Sequence, residues 1–180
     1  MTRTDRSLRA ALAALCAALA LAAPAARAGD PVAEAKQTIA TIKKADPGIS
    51  KFFDGAVGYA VFTTIGKGAI GIGGAGGAGV LFEKGAATGR TKMTQVTIGF
   101  QLGGQSYSEV IFFETAKALQ DFKSGEFAFA AQVSAVALKA GASADAKYQD
   151  GVAVFTMTKA GLMYEASVGG QKFSYEPNKK

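Results

Sequence analysis

The chain predicts an α+β, β-rich fold: a compact antiparallel sheet or partly closed barrel with an N-terminal helix and one or two short peripheral helices. Three observations carry that class. Beyond residue 57, apolar and polar residues alternate at period two in several segments, as half-buried strands do. Val32, Ala35, Ile39 and Ile42 recur at helical spacing between 31 and 45. Eight of the fourteen residues from Gly66 to Gly79 are glycine, and they lead into Val80-Leu81-Phe82. Glycine loses the most backbone entropy on ordering, so such a run implies a close approach of ligand or backbone, or a sharply bent sheet.

Residues 1–28 read as a secretory signal. Arg3, Arg6 and Arg9 form a basic start, Ala10 to Ala23 is uncharged, Pro24 breaks the run, and Ala26-Arg27-Ala28 offers small residues for cleavage before Gly29. The single cysteine, Cys16, follows Leu15 where a lipoprotein needs a small residue. The expected protein is therefore periplasmic or secreted after cleavage, with peripheral membrane association. Its 152 remaining residues form a helix at 29–47 and one β-rich domain at 48–180, enough to bury about two-thirds of the unfolded surface.

Cleavage also removes much of the charge. The whole chain carries +6, whereas the part after residue 28 has sixteen Lys/Arg and thirteen Asp/Glu, a balance of +3. No basic block with interleaved aromatics is present, which argues against nucleic acid as a partner. Without cysteine, packing alone must hold the exported domain. The chain has no histidine, which excludes Ser-His-Asp catalysis and His-bearing zinc sites. Asp145 to Gly151 faintly resembles a calcium loop, but Lys147 and Gln149 stand where oxygen donors belong. No cofactor is implied.

In chain order, the helix at 31–45 ends at Asp46-Pro47-Gly48. Its small apolar stripe suits docking on its own domain; its lysines suit an anionic membrane. Val57 to Phe62 is a strand. The glycine run contains Gly-x-Gly-x-x-Gly at Gly71, Gly73, Gly76 and at Gly74, Gly76, Gly79. A dinucleotide site needs a helix next and an acid about 20 residues on; β-formers follow instead, and Arg90 and Lys92 stand near the acid's place. A P-loop fails because Gly68 follows Lys67. Close-packed or curved β structure is the better reading.

Thr94, Val96, Ile98, Phe100 and Leu102 alternate, and Gly103-Gly104 then predicts a tight hairpin. That closure sets Phe100 opposite Tyr107 and Ile98 opposite Glu109. An acid on the apolar face is expected to be returned to solvent by a bulge or register slip. Thr115 caps a short helix through Leu119 and Phe122, ended by Ser124-Gly125. Phe127 to Val133 alternates, and Ala140 to Ala144 is a loop. A last hairpin joins Val152, Val154 and Thr156 to Leu162, Tyr164 and Ala166 around Lys159-Ala160-Gly161, before a strand with Phe173 and Tyr175.

Four segments in this order, Gly58-Tyr59-Ala60-Val61-Phe62, Gly66 to Val80, Gln101 to Ile111 and Ala160 to Ser167, resemble the SYLF domain family of secreted bacterial proteins and eukaryotic endocytic adaptors. The resemblance covers most of residues 48–176. It implies phospholipid binding, with phosphoinositide preference in eukaryotic members and an actin link in fungal ones. It also implies an amphipathic N-terminal helix on the membrane and no common active site. For an exported chain, anionic lipid carries over and actin does not.

The sequence thus points to a non-catalytic, anionic-phospholipid-binding domain of the envelope. Its candidate lipid contacts are Lys36, Lys43, Lys44, Lys51, Lys67, Arg90 and Lys92; each alone also reads as a solvated surface cation. Two other classes stay open: a structural envelope protein that binds another protein through its β surface, and a carboxylate-dependent hydrolase.

Overall fold

The computed structural model of the chain describes residues 29–70, 72–98, 105–125, 135–160 and 170–179. The expected leader, Gly71, Gly103-Gly104, the alternating segment at 127–133 and the return strand with Leu162, Tyr164 and Ala166 lie outside them.

Helix α1 (Pro31–Ala45) starts where Asp30 accepts a hydrogen bond from the Val32 amide at 3.0 Å, with Pro31 in a first-turn position that needs no N–H. A 3₁₀ turn (Pro47–Ile49) and helix α2 (Ser50–Gly55) follow. Asp46, between α1 and the 3₁₀ turn, is 1% exposed and accepts from the amides of Gly48 at 3.2 Å and Ser143 at 2.7 Å, tying the helical segment to a distant loop. Burial acts to raise the Asp46 pKa; the amides of Ser143, Gly48 and Gly141 outweigh it and hold the carboxyl below its usual range.

Strands β1 (Gly58–Ile70), β2 (Ile72–Glu83) and β3 (Ala86–Ile98) form an antiparallel meander. Lys84 and Gly85, with φ of 50° and 78°, make the two-residue β2–β3 turn whose left-handed pair matches strand twist. Strand β4 (Gln105–Phe113) returns beside β1, giving the spatial order 4-1-2-3 of a Greek key. Helix α3 (Ala116–Ser124) is capped by Thr115 and stopped by Gly125 at φ 77°. Strand β5 (Val136–Ala137) pairs parallel with β6 (Val152–Ala160), β6 pairs with β4, and β7 (Gln171–Pro177) pairs with β3. The result is one mixed sheet, β5-β6-β4-β1-β2-β3-β7, not closed into a barrel.

The expected β3–β4 pairing is corrected by this topology. Glu109 faces Phe62 and Thr156, not Ile98, and Tyr107 faces Ile65 and Thr158, not Phe100. A glycine pair between two alternating runs marks a chain reversal, but it does not make those runs neighbours. Val110 to Phe113 are buried on both faces, which suits β4 to an interior place beside β1. Strand β6 also runs through Lys159 and Ala160, which the sequence assigns to a turn.

Both faces of the central strands are covered. On the outer face Val61, Val110, Phe112, Ala153 and Phe155 pack against Ala35 and Ile42 of α1, Ile49 and Phe52. The inner face joins Ala60, Phe62, Ile65, Ile111 and Phe113 to Leu119 and Phe122 of α3 and to Phe173 of β7. The ring centroids of Phe62 and Phe173 lie 5.8 Å apart, and those of Phe122 and Phe173 5.0 Å, so the wing that ends in β7 curls back over this core.

The glycines of β2 serve its two faces differently. A Cβ at Gly79 would lie 2.7 Å from both Phe62 Cδ1 and the Val61 carbonyl, and one at Gly77 would lie 2.6 Å from the Thr64 carbonyl. These two leave room for β1 side chains to lie across β2. A Cβ at Gly74 would meet only the Gln95 carbonyl, at 3.5 Å. Gly79→Ala is expected to cost about 1–3 kcal/mol, as overpacking does. Gly74→Ala should change stability by less than about 0.5 kcal/mol. Urea unfolding of the two variants checks the contrast.

Candidate functional site

Strand β3 turns Thr91 inward, where its hydroxyl donates to the Ser174 carbonyl at 2.8 Å, and presents Arg90 and Lys92 outward. On the same side, β2 offers only Gly76 and Ala78 before Val80, so the floor beside the two cations is bare. Strand β7 places Glu176 opposite Arg90 and Ser174 opposite Lys92. The N-terminal end of α1 forms the opposite wall with Gly29, Pro31 and Glu34. Together they bound a groove of about 670 Å³, within the usual range for small-ligand sites. Arg90, Lys92, Glu34 and Glu176 are exposed, and among the described residues none of the four is in an ion pair. Further along β3 the same face carries Thr94 and Val96, the latter 74% exposed.

The other candidate cations are dispersed. Lys36 and Lys44 are exposed on α1, while Lys43 is half-buried with its ammonium 4.6 Å from the centre of the Phe53 ring. Lys51 donates to the Ala144 carbonyl at 2.9 Å and lies over Phe52, beside a smaller cavity that Glu114, Lys147 and Tyr148 also line. Lys67 lies far along β1, opposite Ala75 and Gln105. Only Arg90 and Lys92 of the seven line the groove. Glu34, Ser174 and Glu176 were not among the expected site residues. Alternation in β7 marks the last two as outward-facing, but their register against β3 is a contact more than 80 positions apart in the chain.

Glu109 departs from expectation. The β1 register shift between Phe62 and Thr64 exists, yet Glu109 is 0% exposed on the inner face. Its Oε2 accepts from Gln171 Nε2 at 3.0 Å, a bond from a central strand to the first residue of β7. Among the described residues, Glu109 Oε1, Gln171 Oε1 and Thr156 Oγ1 have no hydrogen-bond partner. Burial raises the Glu109 pKa to about 7, against the opposing pull of the Gln171 bond. Burial, then the Glu109 charge, pushes the Tyr107 hydroxyl up as well. Asp46, the other buried carboxylate among the described residues, accepts from backbone amides elsewhere. No cluster of three or more metal-ligating side chains occurs among the described residues. No described helix is long and apolar enough to cross a membrane.

A β-rich domain with a helix on one face and a groove of mixed charge beside it is the class that the fold and the site define. The family model described as "Ysc84: Las17-binding protein actin regulator" matches residues 94–179, and that segment is a domain of the SYLF (Ysc84) family. Beta cell expansion factor A of Aeromonas veronii is 32% identical over 130 residues, covering 71% of this chain and 49% of that protein. The chain thus spans about half the length of this curated relative.

The buried acid sets a pH dependence. The folded state keeps a proton that the unfolded chain releases above the ordinary value of 4.5, so stability falls as pH rises from about 4.5 to about 7. The loss is on the order of 3 kcal/mol. Glu109→Gln should flatten that limb, as equilibrium unfolding at a series of pH values will read.

Proposed function

We propose that the protein is a non-catalytic phospholipid-binding domain of the cell envelope, exported by its leader and held at anionic membrane surfaces by Arg90 and Lys92. The observation that carries this reading is the pair of cations, in no ion pair among the described residues, on an uncovered sheet face beside a groove and in line with the exposed Val96. Lipid binding is the general function of the family, and its members are generally non-catalytic. The α1 lysines are secondary contacts, because α1 spends its apolar stripe of Ala35 and Ile42 on its own sheet. Actin regulation, which the family model's description names, is not proposed for an exported chain.

Each basic residue near an anionic surface contributes about 1 kcal/mol. Arg90→Gln/Lys92→Gln is therefore expected to lower partitioning onto phosphatidylglycerol vesicles roughly tenfold to thirtyfold. Lys36→Gln/Lys43→Gln/Lys44→Gln should have a smaller effect. Vesicle flotation at two salt concentrations reads both, and raised salt should mimic the first variant. Failure of the parent protein to bind any anionic vesicle at low salt defeats the proposal and favours a protein partner. Cleavage before Gly29 is read from the intact mass of the exported chain; retention of Cys16 refutes it.

A further inference from the structure

The groove holds more than cations. Glu176 stands directly across from Arg90 on the neighbouring strand, and Glu34 reaches the same space from α1. Two positive and two negative side chains therefore line one cavity of about 670 Å³, with none of them ion-paired among the described residues. A simple anion would be attracted by Arg90 and Lys92 and repelled by Glu34 and Glu176. A simple cation would meet the reverse. The arrangement is satisfied by a ligand that carries both signs a short distance apart.

We propose that the groove binds a phosphate ester bearing a primary ammonium group, the chemistry of ethanolamine phosphate. This rests on the reading that the groove binds phospholipid, and it names the headgroup. The phosphate lies between Arg90 and Lys92, which donate charge-assisted hydrogen bonds, with the Ser174 hydroxyl beside Lys92. The ammonium lies at Glu176. Directly opposed side chains in an antiparallel pair are set roughly 5 Å apart, a spacing that a two-carbon bridge spans. Pro31, Ala78 and Val80 give the groove an apolar lining for the attached carbon chain.

The lining also selects among ammonium groups. A quaternary ammonium has no N–H to give a carboxylate and is instead held by aromatic faces. The aromatic residue of the groove, Tyr175, is engaged elsewhere: its hydroxyl donates to the Thr88 carbonyl at 3.2 Å, and Lys123 lies 5.6 Å from its ring centre. Phosphocholine is thus disfavoured. Processing before Gly29 would set a new ammonium on the rim near Glu34, which leaves Glu176 as the acceptor for the ligand.

The test is flotation of the full chain with phosphatidylcholine vesicles containing either phosphatidylethanolamine or phosphatidylglycerol, together with calorimetric titration of O-phosphoethanolamine and O-phosphocholine. The ethanolamine lipid is expected to raise binding roughly twofold to fivefold over phosphatidylcholine alone, the span of one exposed ion pair. Glu176→Gln should abolish that gain and at the same time raise binding to phosphatidylglycerol vesicles, because it removes a repelling charge. Equal binding to ethanolamine and choline lipids, or a Glu176→Gln effect of the same sign on both vesicle types, overturns the headgroup assignment while phosphatidylglycerol binding leaves the lipid reading standing. If no vesicle binds, the lipid reading fails and the titration decides. Preference for O-phosphoethanolamine over O-phosphocholine then supports the site with a soluble ligand, and no preference overturns it.

Discussion

Between Ala75 and Leu81, the inward side of β2 carries no side chain at Gly77 or Gly79, and the space is filled from the next strand by Ile65 and Phe62. A side chain at either position would push β1 and β2 apart or turn the Phe62 ring away from Phe173. Because the ring lies across a glycine, the wing of the sheet can curl until β7 meets the core, α3 and the central strand β4. The Gln171–Glu109 bond exists only because of that curl: its two strands are separated in the sheet by β1, β2 and β3. On the opposite side, Gly74, Gly76 and Ala78 leave the surface low beside Arg90 and Lys92. One glycine-rich strand thus shapes an interior and an exterior at once.

Stability and binding are divided between regions of the same sheet. Over β1 and β4, helix α1 and the aromatic residues Phe52, Phe53, Tyr59 and Phe112 close the outer face; Phe53 meets Phe112 edge-on at 4.7 Å. Helix α1 does not extend over the outward residues of β3 and β7, so their charges stay in solvent. A region whose polar groups already face water can change partner at little cost to the fold. The central region cannot, since most of its side chains are buried under a second layer.

Much of this was legible from local pattern. Asp46-Pro47-Gly48, Thr115 and Gly125 mark helix ends because capping is a matter of a few adjacent residues. The glycine run read correctly as backbone geometry because nothing after it can form the helix a phosphate loop needs. Strand order was not legible: period-two alternation tells which residues share a face but not which strand lies alongside. For that reason Glu109 was expected to return to solvent, and the approach of Glu34 and Glu176 to Arg90 had no signal. The matched family segment begins at Thr94, inside β3, although β3 is held by β2 and β4 by β1. The family-model match therefore covers only part of the sheet, whose strands β1 and β2 lie upstream of it.

The last strand in chain order, β7, supplies Phe173 to the core, Gln171 to Glu109 and the edge pairing of β3. While a ribosome still shelters residues 171–177, the inner face remains open and Glu109 has lost its only described hydrogen-bond donor. Closure of the core therefore waits until β7 has left the ribosome. Until β7 docks, the domain stays threadable, as passage through any narrow channel requires.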